Sequence, residues 1–448
     1  MVRPAFLATL IAGAVCAVPV FAQAPPTPPD HYVLTGARIV TAPGRVIERG
    51  TVVLRDGRIA AVGAQVAVPA GAIPLDLTGH TIYAGLIDAA ATYGLPAVSG
   101  QDAERGAELM PARSAGDVWT AADPNVEAMR NVGFTTLGLT FEGGIFPGRV
   151  AAVSTGGAAR SPVLRSPIAQ QVALGRRRGG YPGTLMGAIA YVKQSFYDVQ
   201  YDLRARQAFE RARSGPRPDY DPEHRALAPA ATGEAPVWFL ASTERELGRI
   251  PALASDIGVR NYVIVGAQEG WRALPALKRA AQPVIVSLEW PSAGEITGRA
   301  YELNVAPVSG PNTARAEADS AGLRAARANA AALTRAGIPF ALSSHGMDSA
   351  ATLRDRLRAT VEAGLSADDA LRALTVTPAR LLGLEQAVGT IEPGKLANLV
   401  VTRGDLFAPD TRIRHVFVEG VRYDVPEPSE TPPEGGRRRS GSREEVSR

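Results

Sequence analysis

Five histidines, a single cysteine and a few carboxylates near the ends of apolar runs are the groups in this sequence with the plainest capacity for chemistry. His345 closes the run Ala341-Leu342-Ser343-Ser344-His345-Gly346, which reads as a buried strand handing its last side chain to a site. An imidazole there can move a proton near neutrality, since its reference pKa is about 6.5. Asp88 lies in a second apolar run, residues 81–94, that ends in small residues. Glu142 opens the loop Glu142-Gly143-Gly144-Ile145-Phe146-Pro147-Gly148, flexible enough to line a pocket. Glu269 and Glu289 also follow apolar runs and count as ordinary strand-end polar residues unless they converge. The residue types therefore allow a metal-free acid–base site built on His345 with one or two of these acids, Asp88 and Glu142 foremost. The other histidines, His31, His80, His224 and His415, fall beside hairpins or in a Pro-rich stretch and read as surface or structural.

Several other chemistries lack their parts. Ser161, Ser343 and Ser344 are conceivable nucleophiles, but none sits in a G-x-S-x-G elbow. No GxxxxGK phosphate loop is present. The formal charge of +4 and pI of 9.3 rest on arginine, because lysine occurs only at Lys193, Lys278 and Lys395. The Arg176-Arg177-Arg178 run lacks the interleaved aromatics of a nucleic-acid platform, so no nucleic-acid partner is expected. Residues 1–22 have the form of a cleavable export signal: Arg3, an apolar run over 5–20, and Val20-Phe21-Ala22 before the cut. Export to the periplasm or medium follows, with no membrane attachment after cleavage. Cys16 lies inside that segment behind Val15, where a lipid anchor wants Gly or Ala. The processed chain would hold no cysteine, so no disulfide, thiolate nucleophile or thiolate metal site.

The elements that must position these groups alternate. Apolar runs at 134–140, 237–241, 262–265, 284–288 and 339–343 are separated by helical patterns such as 312–336, which is how parallel βα units read. Asp56-Gly57 and Glu419-Gly420 mark two tight hairpins near opposite ends of the chain. In the carboxyl-terminal third, Leu353, Leu357 and Val361 share a helical face and Gly364 stops the helix. Ser366 with Asp369 caps the next helix, and Thr377-Pro378 starts a third. Residues 154–235 form an insertion, with a long helix over 184–213 and a Pro-rich exit over 216–229; such loops are usually functional or disordered. The polar tail 426–448 reads as disordered.

Four stretches carry a family resemblance: residues 50–63 around Asp56-Gly57, residues 81–94 with Gly85-Leu86-Ile87-Asp88, residues 375–383 around Thr377-Pro378, and residues 388–401. They resemble the amidohydrolase superfamily, in its secreted imidazolonepropionase-like, amidohydrolase-related branch. The resemblance implies an α/β fold: a (β/α)8 TIM-type barrel over 83–387 and a small composite β-sandwich from 32–82 and 388–425. Residues 23–31 serve as a linker. Reactive groups would stand at the carboxyl ends of the barrel strands. The family would use zinc or a similar divalent metal, held by a first-strand His-x-His pair, middle-strand histidines and often a carboxylated lysine. Here Ala90 and Thr92 replace the pair, and Gly266 and Gln268 stand where middle-strand ligands belong. Lys193 falls in a helix pattern, His345 takes the place of the family's last-strand Asp, and Asp88 matches an Asp that is usually structural. No metal or other cofactor is therefore expected.

Two functions stay open. One is an exported hydrolase of non-peptide carbon–nitrogen bonds with an unorthodox site. The other is an inactive barrel that binds a small molecule or pairs with an active relative, with a homodimer suggested by the resemblance. Histidines restored at Ala90 and Thr92 alone are expected to create no metal-dependent activity.

Overall fold

The computed structural model describes residues 31–96, 110–157, 162–174, 182–215, 217–290 and 312–426. The expected signal segment, the linker up to residue 30, the Arg176–178 run, Ser161 and most of the polar tail lie outside them. No described helix is long and apolar enough to cross a membrane.

Both chain ends enter one eight-stranded sheet. From the amino-terminal side come β1 (Tyr32–Ala42), β2 (Arg45–Arg55), β3 (Arg58–Gly63), β4 (Ile73–Asp76) and β5 (Thr81–Ala84). At Asp56-Gly57 both φ angles are positive, 52° and 76°, as a two-residue type I′ hairpin requires. The chain then crosses Gly85 into β6 (Leu86–Ala91).

Beyond it run β7 (Phe134–Leu139), β8 (Gly148–Arg149), β9 (Ala151–Ser154), β10 (Val163–Arg165), β11 (Gln170–Ala173) and β12 (Val237–Ala241). β13 (Tyr262–Gly266), β14 (Val284–Ser287) and β15 (Phe340–Ser343) complete this middle set. The far end supplies β16 (Leu399–Arg403), β17 (Arg412–Val418) and β18 (Val421–Asp424), the last two turning at Glu419-Gly420. β16 pairs antiparallel with β5, so the two ends meet as the resemblance implies. Tyr32 and Phe417 close this core edge to face, 5.5 Å apart.

The middle strands form two sheets, β10-β9-β7-β6 and β15-β14-β13-β12-β11-β8. β6 and β7 are parallel, and so are β11 through β15. The stretch 148–154 departs from the expected all-parallel arrangement, since β9 runs antiparallel to β7 and β8 antiparallel to β11. Val150 stitches the two sheets, donating its amide to Ala169 O and accepting from Ile168 N, 2.9 and 2.8 Å. Between β15 and β6 no backbone ladder forms; the Asp88 carboxylate bridges them instead, as described below.

Side chains alternate between two apolar clusters, as strand geometry demands. Ile87, Val150, Trp238, Val263, Ile285 and Ala341 gather in one, together with Ala379 and Leu382 around the short helix Val376–Leu381. Their neighbours Phe239, Ile264, Val286 and Leu342 pack in the other, against helix residues such as Leu247, Ile250 and Leu333.

Helices follow their local signals. Glu244–Asp256 opens on a capping box of Thr243 and Glu246, and Ser366 accepts from Asp369 N to cap Ala367–Leu374. The long helix of the insertion spans Leu185–Ala212, capped by Thr184. The pattern over 312–336 breaks at Ala328 into Asn312–Arg327 and Asn329–Arg335, and the Pro-rich exit is in part helical. Pro222–Thr232 is a helix, because Asp221 caps it and Pro222 occupies its first turn, where a missing N–H costs nothing.

Candidate functional site

An arc of polar side chains runs across the carboxyl ends of four strands. Thr140, just past β7, is fully buried, and its Oγ1 lies 3.2 Å from Nδ1 of His345, just past β15. At the end of β14, Ser287 Oγ donates to His345 O at 2.5 Å and accepts from Glu289 N at 3.0 Å, fixing both neighbours at once. Glu289 Oε2 accepts from Gln268 Nε2 at 3.1 Å, which brings in the end of β13. Gly346 lets these parts close up: its φ is 81°, and a Cβ there would stand 2.4 Å from the Glu289 carboxylate. Buried Asn329 holds the turn after β13 by donating to Ala267 O at 2.8 Å.

His345 is half-buried, and protein packs around its ring. Burial pushes its pKa down to about 4, so at neutral pH the ring is uncharged, one nitrogen donating and the other accepting. Together the arc holds a neutral imidazole, two hydroxyls, a carboxamide and a carboxylate.

Asp88 lies beneath it, fully buried. Its carboxylate accepts from Ala90 N at 3.0 Å and from Ser344 N at 3.2 and 3.1 Å, one contact to each oxygen. Burial raises its pKa to about 6 against the pull of these amides. The hydroxyls of Tyr93 and Ser344 stand beside it, buried and without a well-formed hydrogen bond. Burial, and then the Asp88 charge, raise the Tyr93 pKa.

The other sequence candidates disperse. Glu142 is exposed on its loop and hydrogen-bonds no member of the arc. Glu269 accepts from Glu244 N at 2.8 Å, finishing a helix start. His80 hydrogen-bonds Thr78 O, His224 lies in a helix near Asp221, and His415 pairs with Asp424 at 2.6 Å in the terminal sheet. Lys193 is helical, as its pattern indicated, and ion-paired with Asp256 at 2.9 Å. Convergence that sequence could not reveal picks out Glu289 and Gln268, and it adds Thr140 and Ser287.

A zinc-type ion fits this donor set poorly. All five histidines of the chain lie among the described residues, and only His345 reaches the arc. Ala90 is fully buried in the apolar cluster, and Gly266 has φ 106° with Ser242 Oγ only 2.8 Å from where a Cβ would stand. Both Asp88 oxygens are occupied by backbone amides. Among the described residues no three His, Cys, Asp or Glu side chains converge.

Residues 285–422 match the amidohydrolase family model. That segment holds Ser287, Glu289 and His345, while Asp88, Thr140 and Gln268 precede it. The crystal structure of an amidohydrolase from Thermotoga maritima MSB8 is similar to this chain with a TM-score of 0.71 at 21% identity, covering 87% of this chain and 99% of that one. A Xaa-Pro dipeptidase with methionine bound in its active site is similar at TM-score 0.54 and 17% identity, over 88% of this chain and 100% of that one. Molinate hydrolase gives 0.53 and 17%, over 89% and 96%. At these identities the likeness establishes the fold, and the chemistry must be argued from the site.

Proposed function

We propose that this chain is an exported amidohydrolase-superfamily protein whose two middle sheets form the wall of a (β/α)8 barrel, with the terminal sheet as its β-sandwich appendage. In this reading the barrel binds a small amide-bearing molecule and performs no metal-dependent hydrolysis. The observation that carries it is the occupation of the metal-ligand positions by other structure: Ala90 by core packing, Gly266 by a backbone that leaves no room, Gln268 by its bond to Glu289. What remains at the strand ends suits an amide, which needs one donor and one acceptor; Glu289 and the His345 ring supply complements to both.

The deciding experiment loads the full chain, purified without chelator or metal-binding tag, with zinc. Bound metal is then measured by elemental analysis after the excess is removed, beside turnover on a panel of linear and cyclic amides. Metal far below one per chain and no turnover are expected. Zinc near one per chain that disappears in His345→Ala would overturn the reading.

A second reading is favoured by one observation, the placement of the Glu289 carboxylate against Gly346, the residue next to His345. Glu289 would take a proton from water as the water oxygen bonds to the amide carbon. It would return that proton to the departing nitrogen as the carbon–nitrogen bond breaks. Chelator-resistant turnover abolished in Glu289→Gln would establish this alternative.

A further inference from the structure

The strand end that carries Glu289 continues directly into Trp290, and two guanidinium groups stand over that indole. Arg327 lies 5.3 Å from the ring centroid and Arg356 lies 5.1 Å from it. They come from separate helices, Asn312–Arg327 and Leu353–Glu362. Arg356 is fixed further by donating from Nη1 to Leu288 O at 3.0 Å, one residue before Glu289. Two arginines close by are neutralised locally, Arg358 by Asp355 and Arg372 by Asp369. Among the described residues no carboxylate pairs with Arg327 or Arg356.

Two like charges gathered on one ring repel each other, and an anion between or beside them removes that repulsion. Contact with the indole restrains both guanidinium groups before any ligand arrives. The planar, bidentate partner that such a fork fits best is a carboxylate.

Resting on the reading that the polar arc holds an amide, we infer that the ligand also carries a carboxylate, recognised by Arg327 and Arg356 beside Trp290. The ligand class is then a small acylated amino acid or similar amide-acid. Its amide lies on the arc and its negative charge at the arginine pair.

The test is calorimetric titration of the full chain with a series of N-acetyl amino acids and their matched carboxamides. The acids are expected to bind roughly tenfold or more tightly than the amides, the value of one charge-assisted hydrogen bond. That preference should collapse in Arg327→Gln and in Arg356→Gln, and partly persist in Arg356→Lys. Failure of every acid to bind, equal binding of acids and amides, or a preference surviving in the Arg327→Gln/Arg356→Gln double variant each overturns the inference.

A second measurement needs no ligand. Quenching of Trp290, read as the difference between wild type and Trp290→Phe, should favour iodide over neutral acrylamide, and equal sensitivity to both counts against an anion site. The two readings fail separately: acid-selective binding with cleavage keeps this inference and sinks the binding-only function, while equal binding of acids and amides does the reverse.

Discussion

Asp88 and His345 are shifted in opposite directions by the same cause, and stability should record it. Burial lifts Asp88 to about 6 from a reference of about 3.9. Its ionised form is therefore penalised in the folded state, by nothing below about pH 4 and fully above about pH 6, where the penalty reaches about 3 kcal/mol. Burial depresses His345 to about 4 from a reference of about 6.5, so the folded state is disfavoured as pH falls through that window. The two slopes oppose each other between about pH 4 and 6.5 in the wild type. Relative to it, Asp88→Asn should become less stable on acidification, and His345→Gln more stable. Urea midpoints at several pH values within that window decide the matter, and parallel profiles for the two variants would refute the assignment. Ala90 supports a second prediction. Its methyl is packed at 0% exposure, so Ala90→His overpacks the cluster and should cost about 1–3 kcal/mol. The Ala90→His/Thr92→His double variant should melt lower and hydrolyse nothing even with added zinc, because Gly266 and Gln268 still offer no ligand; zinc-dependent turnover on amides would show the site to be one step from a metal centre.

At the scale of elements, the weakest junction is the one between β6 and β15, where a carboxylate replaces a backbone ladder. Asp88→Ala removes the acceptor for the buried amides of Ala90 and Ser344, and an unpaired buried amide costs about 1–3 kcal/mol. Hydrogen exchange should therefore quicken at these two amides, while the Val286–Leu342 region of the β14–β15 ladder stays protected. Uniform loss of protection would mean that Asp88 supports the whole fold and no particular junction. Much at this scale was legible in the sequence. The hairpins at Asp56 and Glu419, the cap at Ser366 and the long helix from Leu185 are written in short-range signals, and each formed where those signals stand. The antiparallel stretch 148–154 was not legible, since its pairing is dictated by partners more than ten residues away on both sides. The helix Pro222–Thr232 was hidden by its prolines, although Asp221 and Pro222 together are a helix start. At the site, His345 could be read from its place after an apolar run. Thr140, Ser287 and the Gln268–Glu289 bond could not, because they meet only where strands separated by long stretches of sequence end side by side.

The whole molecule is tied together at Gly85, the single residue between the terminal sheet and β6. Its amide donates to Asn398 O at 2.8 Å, and the next amide, Leu86 N, donates to Gly133 O at 3.0 Å. A Cβ at Gly85 would meet Thr135 Oγ1 at 2.3 Å, so the two halves approach here more closely than any other residue permits. The same terminal sheet needs both chain ends: Ala397 N donates to Gly57 O, and Gly420 N donates to Ala397 O, placing the two hairpin turns on one carboxyl-terminal residue. Damage in that sheet should therefore reach the inner cluster. Phe417, fully buried against Tyr32, is the place to inflict it, and Phe417→Ala should remove about 3–5 kcal/mol. Trp238 sits at 0% exposure in the other half and reports on it by fluorescence. If the halves unfold as one unit, the midpoint seen by Trp238 falls together with that seen by far-ultraviolet circular dichroism, and both transitions remain single. A Trp238 transition that keeps its wild-type midpoint while the dichroism splits in two would show that the terminal sheet is an independent unit, and Gly85 a hinge in place of a weld.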